Sequence, residues 1–311
     1  MADPNLSEIA TTTLKHRSKV IADNCTNNIA LFNLIKKKGN MKLVSGGEKI
    51  VRPLEYALNG TAGYYSGYDT IDITPQNVVS AAEVEWKQAA VSVVCSGLEV
   101  DIQNTGKEGI IDLLEARIKN AEKALFNLLN TGAYSDGTGS GSKQIDGLQK
   151  YVADSPGATV AGIADGTYSW WQNNVYDCST DYGAAMSASN VQEIMNNAMK
   201  EVVRNNERPD VILADNNYFG FFEQSLQAIQ RVTRSDVADS GFQSLEYAGI
   251  PVILDGGKDG ACPSNHMYFL NTDYIYLATA KKRNFVPLNP DRHAVNQDAV
   301  VDWPCESATI H

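Results

Sequence analysis

The chain has 311 residues and is 43% hydrophobic, with 26 lysines and arginines against 37 aspartates and glutamates, a formal net charge of −11. This length supports a substantial core in one to three domains. The acidic balance argues against a general nucleic-acid binder, whose surface is basic, but it is compatible with a protein that encloses nucleic acid without sticking to it. No run approaches about 18 apolar residues, so we expect no membrane span and no membrane partner.

The beginning of the chain and its cysteines bear on the cellular compartment. The opening residues, MADPNLSEIATTT, lack the basic and apolar segments of a secretory signal. The cysteines are odd in number and far apart, which favours free thiols in a reducing compartment. They are Cys25, Cys95, Cys178, Cys262 and Cys305.

A basic segment opens this acidic protein. Between Leu14 and Lys42 the only acidic residue is Asp23, and a short helix is predicted from Asn27 to Lys38. The basic residues are Lys15, Arg17, Lys19, Lys36, Lys37, Lys38 and Lys42. Two interpretations stay open: the charges complement the helix dipole on a solvated face, or the arm docks on an acidic partner surface or on enclosed DNA.

The next segment, RPLEYALNGTAGYYSGYDTIDITP, predicts a long β-hairpin within 41–79. Ile71 and Ile73 alternate with polar residues, which is strand periodicity, and Asn59-Gly60-Thr61-Ala62-Gly63 is typical of a turn. Two arms of about ten residues reach roughly 33 Å. An isolated hairpin is marginal in water, so we expect its tyrosines to lie against another surface. These are Tyr56, Tyr64, Tyr65 and Tyr68.

After the hairpin we predict a long strand from Ser80 to Gly97 and a helix from Thr105 to Asn130. The helix carries one apolar stripe. Its members are Ile110, Leu113, Leu114, Ile118, Ala121, Leu125 and Leu128. The glycine- and serine-rich stretch Ser135–Gln144 then predicts a flexible link and a domain boundary.

The second half of the chain predicts a mixed α/β region followed by a β-rich end. We expect a helix opening at Ser189, a buried strand Val211–Ala214, a helix capped by Asp215, and a strand Gly249–Leu254. The closing strands are predicted at Met267–Leu270, Tyr274–Leu277, Phe285–Pro287 and Ala299–Val301.

A search for catalytic chemistry assigns no catalytic residue, no metal ligand and no cofactor. Cys262 and His266 have the spacing of half a metal site, without a second half in the sequence. Asp215 follows a predicted buried strand, where α/β proteins bind ligands, but helix capping explains it fully. The cluster from Asp255 to Asp259 is turn-like.

The order of these elements resembles tailed-phage major capsid proteins of the HK97-like fold, an α+β class. The stretches that carry the resemblance are DLLEARIKNAEKALFNLLNTGAYSDGTGSGSKQIDGLQ, RPDVILADNNYFGFFEQSLQAIQRV, YAGIPVILDGG and MYFLNTDYIYL. It implies an N-terminal arm (1–40), an extended hairpin or E-loop (41–79), a P-domain (80–142) with a spine helix (105–130), an α/β A-domain (143–263) and a β-rich return into the P-domain (264–311).

Two departures limit the resemblance. Some members of the family cross-link between a hairpin lysine and an asparagine of a neighbour, but Lys49 lies near the hairpin base and the tip has no lysine. We therefore do not carry this cross-linking chemistry over to the chain. The chain also ends early, as VDWPCESATIH, so we expect the last strand to be shortened or completed by another chain.

The resemblance implies a structural protein, not an enzyme, that assembles into the icosahedral shell around phage double-stranded DNA. The chain's partners would be its own copies in hexamers and pentamers, portal and scaffolding proteins, packaged DNA bound non-specifically, and in some systems a decoration protein. It would assemble in the host bacterial cytoplasm and reside in the virion. The predicted inter-subunit contacts are Arg52, Glu55, Tyr56, Tyr64, Tyr65, Tyr68 and Asp69 on the hairpin. The alternative is a soluble, hydrolase-like α/β enzyme with a site near Asp215 or Asp255–Asp259.

Overall fold

The computed structural model describes residues 29–96, 107–226, 244–255, 260–288, 299–306 and 308–310. Its longer helices are α1 (Ala30–Lys37), α2 (Lys107–Ala133), α3 (Val191–Val202) and α4 (Asn216–Leu226). Single helical turns occur at Gly139–Ser142, Leu148–Tyr151, Ser169–Trp171 and Cys178–Tyr182.

Fifteen strands are present in the described residues. They are β1 (Met41–Val44), β2 (Lys49–Glu55), β3 (Val79–Glu85), β4 (Ala89–Ala90), β5 (Val93–Ser96), β6 (Thr159–Val160), β7 (Ile163–Ala164), β8 (Val211–Ala214), β9 (Ser244–Tyr247), β10 (Ile250–Leu254), β11 (Met267–Leu270), β12 (Leu277–Ala280), β13 (Val286–Leu288), β14 (Ala299–Glu306) and β15 (Ala308–Ile310).

A four-stranded sheet in the order β11-β8-β10-β9 forms the centre of the α/β region, with β8 and β10 parallel. All four residues of β8 are buried because both faces of the sheet are covered. Val211 and Leu213 pack into a core that α1 and α2 share, whereas Ile212 and Ala214 pack into a second core with α3 and α4. The predicted strands at 211–214 and 267–270 are confirmed.

Helix α2 confirms the strongest helix prediction. Ile118, Ala121 and Leu125 are buried, as the predicted stripe requires. The stripe then continues through Leu129, while Leu128 is 49% exposed, because successive steps of three and four residues keep one helix face toward the core. Thr105, where the predicted helix begins, lies outside the described residues.

The hairpin differs from the prediction in which residues form its arms. Its strands are β2 and β3, which pair antiparallel from Lys49↔Glu85 to Glu55↔Val79. The predicted return strand around Ile71 and Ile73 is wrong, because these residues lie in the irregular connection between the two strands.

The local chemistry of the connection accounts for this difference. Asp72 accepts hydrogen bonds from both the backbone N–H (2.9 Å) and the hydroxyl (2.6 Å) of Thr74. Such a turn competes with a strand ladder. The predicted single strand from Ser80 to Gly97 is likewise wrong, since it is divided into β3, β4 and β5.

Strand β1 does not extend the hairpin, although the predicted hairpin began at Met41. It pairs in parallel with β12, from Met41↔Leu277 to Val44↔Ala280. The predicted strand Tyr274–Leu277 is shifted, because Asn271–Tyr274 forms a turn in which the Asn271 side chain accepts the Asp273 N–H at 3.1 Å. At the end of the chain, β14 pairs with β4, β5 and β13, and the last strand, β15, has three residues and pairs with β12. Completion of this region by another chain stays a prediction.

The stretch Ser135–Gln144 is not the flexible link that its composition predicts. Ser135 is buried, and its hydroxyl donates to the carbonyl of Ile145. Asp136 accepts the Thr138 N–H at 2.9 Å, which closes a local turn. Gly147 then lies directly against the backbone of the α2 C-terminus. These contacts fold the stretch back onto α2.

Candidate functional site

The connection between β2 and β3, residues 56–78, is the most exposed apolar part of the described chain. Tyr64 and Tyr68 are fully exposed, Tyr65 is 70% exposed, and Leu58 and Ile73 are each about 90% exposed. A contiguous set of large exposed apolar side chains marks an interaction surface in a soluble protein. The sequence pattern indicated the tyrosines but not Leu58 and Ile73. Strand periodicity had placed Ile73 in a paired strand, and no local signal marked Leu58.

Local turns, and not packing, organise this connection. The Asn59 side chain accepts the Thr61 N–H at 3.0 Å, and the Asp69 side chain accepts the Ser66 N–H at 2.8 Å. At its start the backbone continues the hairpin pairing, with the Tyr56 N–H donating to the Val78 carbonyl at 3.0 Å. Turns of this kind shape the segment locally and leave its apolar side chains available to a partner.

The hairpin strands and the residues where the connection begins and ends are, in contrast, anchored on their own chain. Tyr56 stacks on Trp170 with ring centroids 4.9 Å apart, and its hydroxyl donates to the Asn77 carbonyl at 2.7 Å. The Glu83 N–H donates to the Ala161 carbonyl at 2.8 Å. Ile50 and Val84 on the inner face are buried. A fixed base with an unpacked tip makes a projecting element.

These anchors divide the predicted hairpin contacts into two groups. Tyr56 is engaged by Trp170, and the Arg52 guanidinium lies 5.4 Å from the Tyr276 ring, so both contact their own chain. Glu55 is exposed, and Asp69 closes the Ser66 turn. Tyr64, Tyr65 and Tyr68 remain the large exposed aromatic residues of the set.

The predicted basic arm is only partly described. Lys15, Arg17 and Lys19 lie outside the described residues. Of the others, Lys37 is exposed, whereas the Lys38 ammonium forms ion pairs at 2.9 Å with Asp210 and Asp273. These pairs join the end of α1 to the loops flanking the central sheet. Lys38 therefore has a local structural partner.

Asp215, the residue of the alternative enzyme hypothesis, is a helix cap. Its carboxylate accepts the N–H groups of Asn217 (3.2 Å) and Tyr218 (3.0 Å) at the start of α4, and that of Asn265 (2.8 Å) from the loop before β11. This confirms the capping interpretation. Its oxygens are committed to backbone donors, which leaves the carboxylate poorly placed for acid–base chemistry.

We predict that Asp215→Ala destabilises the fold by about 2 kcal/mol, because three N–H groups lose a largely buried acceptor. Asp215→Asn keeps one acceptor oxygen and should lose clearly less. Denaturant unfolding of both variants checks this. Equal losses would show that the negative charge, and not the hydrogen bonding, is the essential property.

The second carboxylate of the enzyme hypothesis, Asp255, is buried directly after the end of β10. The Tyr134 hydroxyl donates to it. Burial raises the pKa of Asp255, and the Tyr134 hydrogen bond opposes this only in part. The rest of the predicted cluster, residues 256–259, lies outside the described part of the chain. Asp255 thus acts as a buried acceptor for Tyr134.

The spacing of Cys262 and His266 does not correspond to a metal site in the described residues. His266 Nε2 lies 3.0 Å from both carboxylate oxygens of Asp154, and its Nδ1 lies 2.8 Å from the Ser264 carbonyl. No group of three histidine, cysteine or acidic side chains in the described residues has metal-site geometry. The His266 ring is therefore paired with Asp154 and with the Ser264 carbonyl. Burial raises the pKa of the Cys262 thiol.

His266 gives the fold a pH dependence. Burial opposes its charged form, but the hydrogen bonds to Asp154 and to the Ser264 carbonyl outweigh this and raise the pKa of His266 above 6.5. A raised folded-state pKa gives stability that is complete below about pH 6.5 and is lost as the pH rises through the folded value. We therefore expect the wild type to be more stable than Asp154→Asn, with a larger difference in the free energy of unfolding at about pH 5.5 than at about pH 8. The change in this difference between the two pH values should be about 1 kcal/mol or less, because the pair is partly exposed. A pH-independent difference would contradict this.

One cavity of about 460 Å³ lies beside the central sheet. It runs along the outer edge of β11 and is bounded by residues 152–155, by residues 173–178 and by α3. A smaller cavity of about 370 Å³ continues it past Phe269 to Tyr274.

No described helix combines the length and apolar character that crossing a bilayer requires.

Comparison with solved structures connects this architecture to known proteins. A chain of the cyanophage A-1(L) capsid asymmetric unit superposes with a TM-score of 0.62 at 18% identity, covering 87% of this chain and 86% of the other. This protein has the fold of a phage capsid protein. A chain from Mycobacterium phage Bobi (TM-score 0.52, 12% identity, covering 88% and 82%) and one from the capsid of the native GTA particle (TM-score 0.52, 10% identity, covering 89% and 86%) share this capsid fold.

No protein-family model and no curated protein sequence matches the chain. The capsid fold is therefore recognised through three-dimensional structure. It confirms the mixed helix-and-sheet architecture that the resemblance implied, over nearly nine tenths of the chain. The boundaries of the individual subdomains stay predictions.

Proposed function

We propose that this protein is a structural subunit of a phage capsid shell and that its work is self-association. The observation that carries the proposal is the capsid fold, which it shares with the cyanophage A-1(L) capsid over most of both chains. The projecting connection 56–78 supports it independently, because its large apolar side chains are exposed in the described chain and suit a contact with another subunit.

In this proposal the regions act as the resemblance implies. Residues 1–40 form an arm, and residues 41–79 contain the connection 56–78, which lies across a neighbouring subunit through Tyr64, Tyr65 and Tyr68. Tyrosine suits such a contact because its ring is apolar and its hydroxyl can hydrogen-bond. The α2 region, 80–142, would form the spine of the shell wall, 143–263 the α/β domain, and 264–311 the strands that return to the wall.

The proposed partners are copies of the chain in hexamers and pentamers, together with portal and scaffolding proteins. The net charge of −11 keeps most of the subunit from adhering to packaged DNA. Any contact with DNA would fall to the basic residues of the arm, Lys15, Arg17, Lys19, Lys36 and Lys37. The protein would reside in the virion after assembly in the host cytoplasm.

No observation favours the enzyme alternative. Asp215 is occupied by capping and Asp255 by Tyr134, so neither carboxylate has the free position that a catalytic group needs. A structural role also agrees with the capsid fold.

Sedimentation velocity and negative-stain microscopy of the full chain, alone and with its scaffold, test the proposal. We expect rings, closed shells or both. A compact monomer under every condition would reject it. A hydrolase activity that Asp215→Asn abolishes would support the enzyme instead.

A further inference from the structure

Strand β11 is an edge strand with an unpaired side. In the described part of the sheet it pairs only with β8. Two backbone hydrogen bonds hold its ends: the Asp215 N–H donates to the His266 carbonyl at 3.2 Å, and the Asp210 N–H donates to the Leu270 carbonyl at 2.9 Å. Because hydrogen-bonding residues alternate in an antiparallel pair, Met267 and Phe269 direct their N–H and C=O groups to the outer side. This side is a template for one more strand.

The unpaired edge opens into the 460 Å³ cavity and not onto a flat surface. Walls on both sides give the space the form of a groove, which the second cavity extends along the same strand. A groove along a sheet edge is the geometry that binds an extended peptide by strand addition, with the backbone supplying affinity and the walls supplying selectivity.

The walls of the 460 Å³ cavity select for positive charge, whereas the 370 Å³ extension is lined by Arg204 and Arg208 together with Glu201 and Glu207. Asp154, Asp177 and Glu201 line the 460 Å³ cavity, and among the described residues no lysine or arginine does. His266, the basic group present, is already paired with Asp154 at 3.0 Å. Apolar side chains of α3, Ile194 and Met195, supply the rest of one wall. An occupant should therefore combine cationic and apolar side chains in an extended conformation.

The chain contains one segment with this chemistry outside the described residues. In LKHRSKV, Leu14 to Val20, the cations Lys15, Arg17 and Lys19 alternate with other residues, which puts all three on one face of an extended strand. Leu14 and Val20 fall on the opposite face.

The position of the described chain permits this segment to reach the groove. Ile29, the first residue that the structure describes, packs into the same core as Tyr268 and Leu270 of β11. The eight residues 21–28 between Val20 and Ile29 span up to about 26 Å when extended. Because Ile29 and β11 share this core, the groove of the same subunit is the one we consider for this segment.

We propose that residues 14–20 add as an extra strand to the free edge of β11 in their own subunit, with their basic side chains against the acidic groove walls. Of the two roles open to the basic arm, contact with packaged DNA and docking on an acidic protein surface, this proposal selects the second for Lys15, Arg17 and Lys19. It does not require shell assembly, so it is testable on free subunits.

Site-specific photo-crosslinking of the full chain tests the proposal. Ser18 is replaced with p-benzoyl-phenylalanine, and a mixture of ¹⁴N- and ¹⁵N-labelled chains is irradiated. Mass spectrometry should find cross-links within one chain to 152–155, 173–178, 194–202 or 265–269. The same group at Ser7, outside the segment, is the matched control and should not reach these residues.

Charge reversal supplies the second arm of the test. Asp154→Lys with Glu201→Lys should lower the Ser18 cross-link yield about five-fold or more, the loss expected when two partly screened ion pairs become repulsive. Glu48→Lys with Glu85→Lys, which makes the same charge change at exposed sites outside the groove, should leave the yield unchanged. Circular dichroism verifies folding of each variant.

Three outcomes would overturn the proposal: cross-links to other surfaces, cross-links only between differently labelled chains, or a yield insensitive to the groove charges. None of these depends on particle formation. If shells form but the cross-links are absent, the strand addition is rejected and the shell proposal stands. If the cross-links form but no shells or rings appear, the shell proposal is rejected and the strand addition stands.

Discussion

Replacing Tyr64, Tyr65 and Tyr68 together with serine should leave the subunit folded and should abolish or strongly reduce particle formation. The three side chains are exposed and contribute nothing to either buried core, so the thermal unfolding of the free subunit should change little. Large aromatic anchors at a protein interface are each worth about 2 kcal/mol or more on truncation. The triple variant loses three such anchors from every contact between subunits. We expect this loss of binding free energy to prevent assembly, because each contact in a shell is weak by itself.

Thermal unfolding and particle yield by sedimentation should be measured together. Tyr274→Ser, a change at an exposed tyrosine outside the connection, is the matched control and should assemble normally. Loss of folding along with particles would mean that the connection packs on its own subunit. Normal particles from the triple variant would place the subunit contact elsewhere.

Gly147→Ala should destabilise the fold by about 3 kcal/mol, the upper range for overpacking. A Cβ at this position would lie 2.3 Å from the Gly132 carbonyl oxygen, 2.5 Å from the Ser135 nitrogen and 2.7 Å from the Ala133 carbonyl carbon. These are backbone atoms at the end of α2, so no side-chain rotation relieves the contact. The stretch 135–147 would have to separate from the helix.

Gly220→Ala is the matched control for this prediction. Gly220 lies inside α4, and an added Cβ would meet no heavy atom within 4 Å. Alanine has the higher helix propensity, so this variant should gain up to about 1 kcal/mol. Denaturant unfolding of both variants measures the contrast. A small loss for Gly147→Ala would mean that the segment can move away from α2 at little cost.

Elements with a strong local signal were predictable from the sequence. Helix α2 has a long apolar stripe, β8 is a short run of consecutive apolar residues, and Asp215 is of the type and position that cap a helix. In each case the signal and the structure it specifies lie within a few residues of each other. The order of such elements was also sufficient to predict a capsid fold, which the structural comparison confirms.

Features that depend on a distant partner were not predictable in this way. Ile71 and Ile73 have strand periodicity, but β2 pairs with β3 because Ile50, Ala82 and Val84 together find a buried face. Strand β1 is defined by β12, more than two hundred residues away. Ser135–Gln144 has a linker's composition but folds against α2.

The same distinction applies to the candidate surface. The amino-acid sequence determined that a tyrosine-rich segment exists between two strands, because composition and turn residues are local properties. Only the tertiary structure decided that Tyr56 stacks on Trp170 while Tyr64, Tyr65 and Tyr68 stay exposed, and that Lys38 pairs with Asp210 and Asp273. The physical reason is that burial and ion pairing are set by which groups the whole fold brings within a few ångströms, and no local pattern encodes that distance.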